Sequence, residues 1–272
     1  MLVHLEPMQW GFGVLAAFLV GVSKTGLPGA GMLVVTLLAT VFGGRLSVGI
    51  MLPMLIFADC FAVAWYRRHA QWDKLVGLLP WVIAGMAVGA VALWATGKAS
   101  GHKDVLGVCI GVLVLIMLAL YLLQDRLDKR MTPRSKLGVA STGVAAGFTT
   151  MVSNAAGSIM SIYMAAHKLP KKQFIGTLAW YFFILNLSKL PVYIVLSAVN
   201  PRRPVITMFC LRLDILMLPV IVAGVFVGKW LLPRISQKQF ESVVLFLAGA
   251  AATKLIYDWP SALVGVAMRL FA

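Results

Sequence analysis

Acidic residues are scarce in this chain: 9 Asp and Glu stand against 24 Lys and Arg over 272 residues, and charged residues of both signs make up only 12%. With 61% hydrophobic residues and a mean hydropathy of +0.92, that scarcity excludes an ordinary soluble domain. Cysteine is nearly absent. Cys60, Cys109 and Cys210 stand singly within apolar segments, which excludes metal and redox spacings and predicts buried small hydrophobes. His4, His69, His102 and His167 lie at the terminus or at loop edges. No HExxH, Walker A or G-x-S-x-G sequence occurs, so nothing signals an enzyme, a cofactor or ATP hydrolysis.

What the chain has instead is apolar runs, at 8–22, 28–42, 47–66, 75–96, 105–123, 137–152, 155–166, 174–197, 211–232 and 240–257. Several approach the ~20 residues that a helix needs to span hydrocarbon. A membrane barrel would alternate apolar and polar residues, so the expected fold is an all-α polytopic bundle. The net charge of +15 falls mostly in short loops, where it anchors the chain by the positive-inside rule rather than binding nucleic acid. The partner that composition implies is membrane lipid; a homodimer is an assembly the sequence allows. The opening MLVHLEPMQW lacks the basic segment of a cleavable signal peptide, so the first apolar run is expected to remain.

Two stretches share a pattern. Gly21-Val22-Ser23-Lys24-Thr25-Gly26-Leu27-Pro28-Gly29-Ala30-Gly31 aligns with Gly147-Phe148-Thr149-Thr150-Met151-Val152-Ser153-Asn154-Ala155-Ala156-Gly157 at an offset of 126. Val48-Gly49 matches Ile175-Gly176 at 127, a register that sets Asp59 opposite Asn186. Leu79-Pro80, Ala84-Gly85 and Val88-Gly89 match Leu218-Pro219, Ala223-Gly224 and Val227-Gly228 at 139. The chain therefore divides into a first transmembrane repeat, 1–123, a charged cytoplasmic linker, 124–136, and a second repeat, 137–272. Each repeat begins with a broken or re-entrant helix. If the breaks are re-entrant hairpins, each repeat has three spans and the two are inverted; if they cross, each has four and the two are parallel. The hairpin topology puts 14 loop Lys and Arg on one face and 7 on the other, against 12 and 9 for the alternative, and so separates charge better. It places both termini outside.

Ionisable residues at lipid depth are functional candidates by default. They are Lys24, Asp59, Lys189 and Lys254. Lys24 could reach an interface if its break is shallow, and Lys254, near the end of its run, reads as an interfacial anchor. Asp59 is suited either to neutralising a lysine across the bundle or to carrying a coupling proton. A lysine beside helix ends whose N–H groups are freed by glycines makes a cradle for a small oxyanion. Two such breaks meeting at the midplane is a transporter pattern. Gly85/Gly89 and Gly224/Gly228 have the spacing of close helix packing.

The residues carry a resemblance. Gly21–Gly29, Ser47-Val48-Gly49-Ile50-Met51-Leu52-Pro53 leading to Asp59, and Tyr66-Arg67-Arg68-His69 are similar to the first half of the TauE/SafE sulfite exporter family. Gly147–Met151, Asn154–Gly157, Leu169-Pro170-Lys171-Lys172, Phe174–Thr177, and Asn186 with Lys189 and Pro191 are similar to its second half. Ser158 departs, because many members carry proline after Asn-Ala-Ala-Gly. The resemblance implies a bacterial inner-membrane permease for a small sulfur-containing anion: sulfite, sulfoacetate or another organosulfonate, or thiosulfate. On this reading the anion meets Lys24, Thr25, Gly29, Gly31, Thr150, Ser153, Asn154, Gly157, Asn186 and Lys189, with Asp59 coupling or gating. Movement is gradient-coupled with alternating access, or passive through a channel that uses the same groups as a filter.

Overall fold

The computed structural model describes residues 6–24, 30–98, 104–130, 136–167, 169–231, 246, 248–254 and 256–257. Nearly all of them are helical, and no strand occurs among them. Among the described residues the labelled helices are α1 (Pro7–Lys24), α2 (Ala30–Phe42), α3 (Gly44–Tyr66), α4 (Trp72–Lys98), α5 (Val105–Arg130), α6 (Lys136–Ser153), α7 (Gly157–Ala166), α8 (Lys171–Val199) and α9 (Met208–Leu231). Five stretches among the described residues are long and apolar enough to cross a bilayer: Gly44–His69, Trp72–Gly97, Val105–Leu123, Lys172–Val199 and Met208–Trp230. Those five belong to α3, α4, α5, α8 and α9. The α1–α2 and α6–α7 pairs flank the two interruptions read in the sequence.

Packing follows the small residues. On α1 the buried stripe includes Ala17, Val20 and Gly21, and on α6 it includes Gly143, Ala146 and Gly147. Lipid offers no hydrophobic drive between helices, so such stripes work by letting backbones approach. A Cβ on Gly21 would lie 2.3 Å from the Ile221 carbonyl oxygen and 2.6 Å from the Val225 nitrogen, on α9. A Cβ on Gly147 would lie 2.1 Å from the Val82 carbonyl oxygen and 2.9 Å from the Met86 nitrogen, on α4. Gly224 presses on Phe18 and Gly85 on Val144, so α1 lies against α9 while α6 lies against α4.

Contacts between loops define two ends of the bundle. At one, Asp104 accepts from the Gly44 N–H (2.6 Å), Arg45 donates to the Leu93 carbonyl (2.6 Å) and Asn200 donates to the Gly97 carbonyl (2.7 Å). At the other, the Gln71 N–H donates to Thr177 (2.9 Å), Trp180 donates to the Arg67 carbonyl (3.3 Å), and Gly176 sits under Tyr66. Two expectations about cysteine need correction. Cys210 is buried, but Cys60 and Cys109 are exposed; they lie on outward flanks, where a lipid-facing position is as apolar as a core one. Lys254 is exposed on the helical segment 248–254.

Candidate functional site

The buried stripe on α1 reaches Val22, with the largely covered Lys24 as the last residue of the helix, and the equivalent stripe on α6 takes in Thr150 and runs to Ser153. Both stripes run toward a break, so each delivers a polar group to the bundle centre. There the Lys24 ammonium lies 2.7 Å from Asp59 Oδ1, on the middle of α3, and 4.8 Å from the centroid of the Phe182 ring on α8. Asp59 is fully buried, and its other oxygen accepts from Asn186 Nδ2 on α8 at 2.7 Å.

Lys189 lies one turn beyond Asn186 on α8 and is wholly buried. Its ammonium donates to the Thr150 carbonyl (3.2 Å), the Thr150 hydroxyl (3.1 Å) and Asn154 Oδ1 (2.5 Å). All three acceptors are neutral. Asn154 has φ of 56°, the sole positive value on a non-glycine among the described residues, in the left-handed region that Asn tolerates. This turn ends α6 and directs the Asn154 side chain two ways: Oδ1 toward Lys189, and Nδ2 toward the Val48 carbonyl of α3 at 3.4 Å. Tyr193, one turn past Lys189, donates to the Met151 carbonyl at 2.8 Å and fixes α8 against α6.

The starts of α2 and α7 also meet. Ser158 Oγ, at the start of α7, lies 3.7 Å from Met32 Sδ, at the start of α2. A side chain at Gly31 or Gly157 would meet no atom within 4 Å, so these two glycines are not packing residues like Gly21 and Gly147. They leave open space beside helix starts, where N–H groups await acceptors. The centre thus holds two ammonium groups, one carboxylate and two helix N-termini, and Asp59 lies within Coulomb range of Lys189 as well as Lys24. Such an arrangement can hold one further negative charge.

The model of a family described as "Sulfite exporter TauE/SafE" matches residues 13–255. The chain belongs to the TauE/SafE sulfite exporter family. It is therefore a multi-pass membrane protein of a family that exports sulfur anions. No curated protein and no solved structure matches the chain.

In this TauE/SafE member, Lys24, Asp59 and Asn186 form one connected group and Lys189, Thr150 and Asn154 another, with Gly31 and Gly157 beside the meeting point of the breaks. Ser153 does not join them by a side-chain bond; its hydroxyl turns back to the Thr149 carbonyl at 2.9 Å. Thr25 and Gly29 lie outside the described residues. Sequence reasoning missed Phe182, whose ring faces Lys24, and Asp214, buried on α9 with neither carboxyl oxygen hydrogen-bonded. Asp214 carried a usable signal, an acid inside the run 211–232. Phe182 carried none, being one aromatic among many.

Proposed function

We propose that the protein is a secondary transporter of the bacterial inner membrane that moves a small sulfur-containing anion: sulfite, sulfoacetate or another organosulfonate, or thiosulfate. One observation carries this reading. Lys189 is buried among neutral acceptors while the neighbouring carboxylate is already held by Lys24 and Asn186. An uncompensated buried charge is costly, and a bound anion relieves it. The anion sits beside Lys189, Thr150 and Asn154, with the N–H groups near Gly31 and Gly157 pointing at its oxygens. Asp59 holds Lys24 in place and links it through Asn186 to α8, so a proton reaching Asp59 would free Lys24 for the anion. That supplies a coupling step.

The transport cycle follows from inverted halves with a re-entrant hairpin each. The reciprocal contacts support that topology. Gly21 on Ile221 and Val225 is the counterpart of Gly147 on Val82 and Met86, at the offsets of 126 and 139 read in the sequence. Positions related by the repeat also touch each other, Met32 with Ser158 and Asp59 with Asn186, as a twofold axis between the halves demands. The loops at 66–74 and 167–173 share one end of the bundle, the grouping that hairpins require. On this topology the linker 124–136 is cytoplasmic, and rocking of one repeat against the other exposes the site to each side in turn.

Purified protein in proteoliposomes tests the reading. Lys189→Ala is expected to lower sulfite and sulfoacetate flux by ~30-fold or more, the effect of ~2–5 kcal/mol of lost charge contact. Unchanged flux in a folded variant would overturn the site. An imposed proton gradient is expected to drive accumulation against the anion's own gradient; strictly downhill flux would overturn the proton coupling and leave the passive reading.

A further inference from the structure

A second cluster of positive charge lies at the Gly44 end of the bundle, away from the lysine pair. A cavity of about 620 Å³ opens there, lined among others by Arg45, Arg202, Arg203, Asp104, Thr96 and Thr207. Arg45 donates Nε to the Arg203 carbonyl and Nη1 to the Leu93 carbonyl, each at 2.6 Å, so its guanidinium is fixed in position by neutral groups. Gly97 makes room for it: a Cβ there would lie 2.7 Å from Arg45 Nη2. Asp104, the acidic lining residue, spends both oxygens on backbone N–H groups, at Gly44 (2.6 Å) and Gly107 (2.9 Å). The positive-inside bias does not account for these arginines, because this end carries the smaller share of loop Lys and Arg.

The cavity also adjoins the central site. Val48 is three residues past Arg45 on α3, about 4.5 Å along the helix axis. Its carbonyl accepts from Asn154 Nδ2, and Asn154 Oδ1 accepts from Lys189. One turn of α3 and the Asn154 side chain separate Arg45 from the central ammonium.

We propose that this cavity is a second oxyanion-binding station, a vestibule that holds a soluble sulfur oxyanion at the outer mouth of the central site, on its way to or from that site. Planar guanidinium groups present paired donors that match the oxygens of a sulfite or sulfonate group, and Arg45 is held ready to do so. Exposed Arg202 and half-buried Arg203 draw the anion in, and Arg45, which also lines the cavity, meets it one turn of α3 before Val48. The assignment rests on the transport reading above, but it fails separately: the central site governs turnover, and the vestibule governs capture.

The experiment measures initial rates of sulfite flux, with sulfite presented on the side of the Gly44 end, in oriented vesicles of phosphatidylcholine alone, at low and high salt. Arg202 is on an exposed loop, so Arg202→Glu is the variant to make, with Lys74→Glu at the opposite end as the charge control. For R202E, KM is expected to rise about three- to tenfold at low salt with Vmax within twofold, and the difference is expected to shrink at 0.5 M salt as the Debye length falls. K74E is expected to leave KM within twofold. An unchanged KM in R202E, or an equal rise in K74E, would overturn the vestibule. So would a KM effect that appears only when phosphatidylglycerol is added, since the ligand would then be a lipid headgroup.

Discussion

Lys24 and Lys189 both place an ammonium group at the centre of the bundle, but opposite company holds them. Lys24 faces a carboxylate at 2.7 Å and an aromatic ring; Lys189 faces a hydroxyl, an amide oxygen and a backbone carbonyl. The first pair is closer to electrical closure, and the second is open to an anion. The repeat does not make them equivalent, because Lys24 is the counterpart of Thr150 and Asp59 the counterpart of Asn186. The aligned sequence positions thus carry ionic groups in one stretch and neutral ones in the other. Lys189, added on α8, supplies charge to the half that lacks it. The comparison teaches that the centre is unequal in charge: two ammonium groups share one carboxylate, which leaves a net positive charge there.

Breaking the closed pair is the severest test of that difference. Asp59→Asn is expected to destabilise the protein by about 2–3 kcal/mol, at the lower end of the cost of orphaning a buried charge because Lys24 retains 14% exposure. Adding Lys24→Met is expected to recover much of that loss in a double-mutant cycle, read by thermal or denaturant unfolding in detergent. Simple additivity would mean that the two residues are not coupled.

The two kinds of glycine sharpen the comparison next. Gly147→Val forces atoms against the Val82 carbonyl and is expected to cost about 1–3 kcal/mol of stability. Gly157→Ala meets open space and is expected to leave stability within about 0.5 kcal/mol while reducing flux. Equal stability losses would remove the distinction between packing and site glycines.

The sequence made the central ionic residues legible because a charge inside an apolar run stands out against lipid. The internal repeat made Thr150 and Asn154 legible as well, since nothing about a threonine or an asparagine alone marks a site. Pairing was harder to read. Asp59 could have met any lysine, and only the packing of α1 and α8 around α3 brings Lys24 and Asn186 to it. The exposed Cys60 and Cys109 show the general limit: hydropathy cannot tell a helix face turned to lipid from one turned to protein. The arginine cavity was illegible for a different reason, because it joins loops that are more than 100 residues apart, Arg45 with the Arg202–Arg203 turn.

The smallest effect expected comes from trimming the open site. Thr150→Val removes one of the three acceptors of Lys189 and keeps its shape, so sulfite binding is expected to change by ~0.5–1.5 kcal/mol, or about two- to twelvefold. A change beyond that range would mean that the hydroxyl contacts the anion as well as the lysine.

The most direct measurement is equilibrium binding of sulfite to purified protein, by calorimetry, for the parent, Lys189→Gln and the Lys24→Met/Asp59→Asn double variant. K189Q is expected to abolish measurable binding, whereas the double variant, which removes a closed pair of opposite charges, is expected to keep Kd within about fivefold of the parent. Retained binding in K189Q together with its loss in the double variant would contradict the account and move the anion site to Lys24.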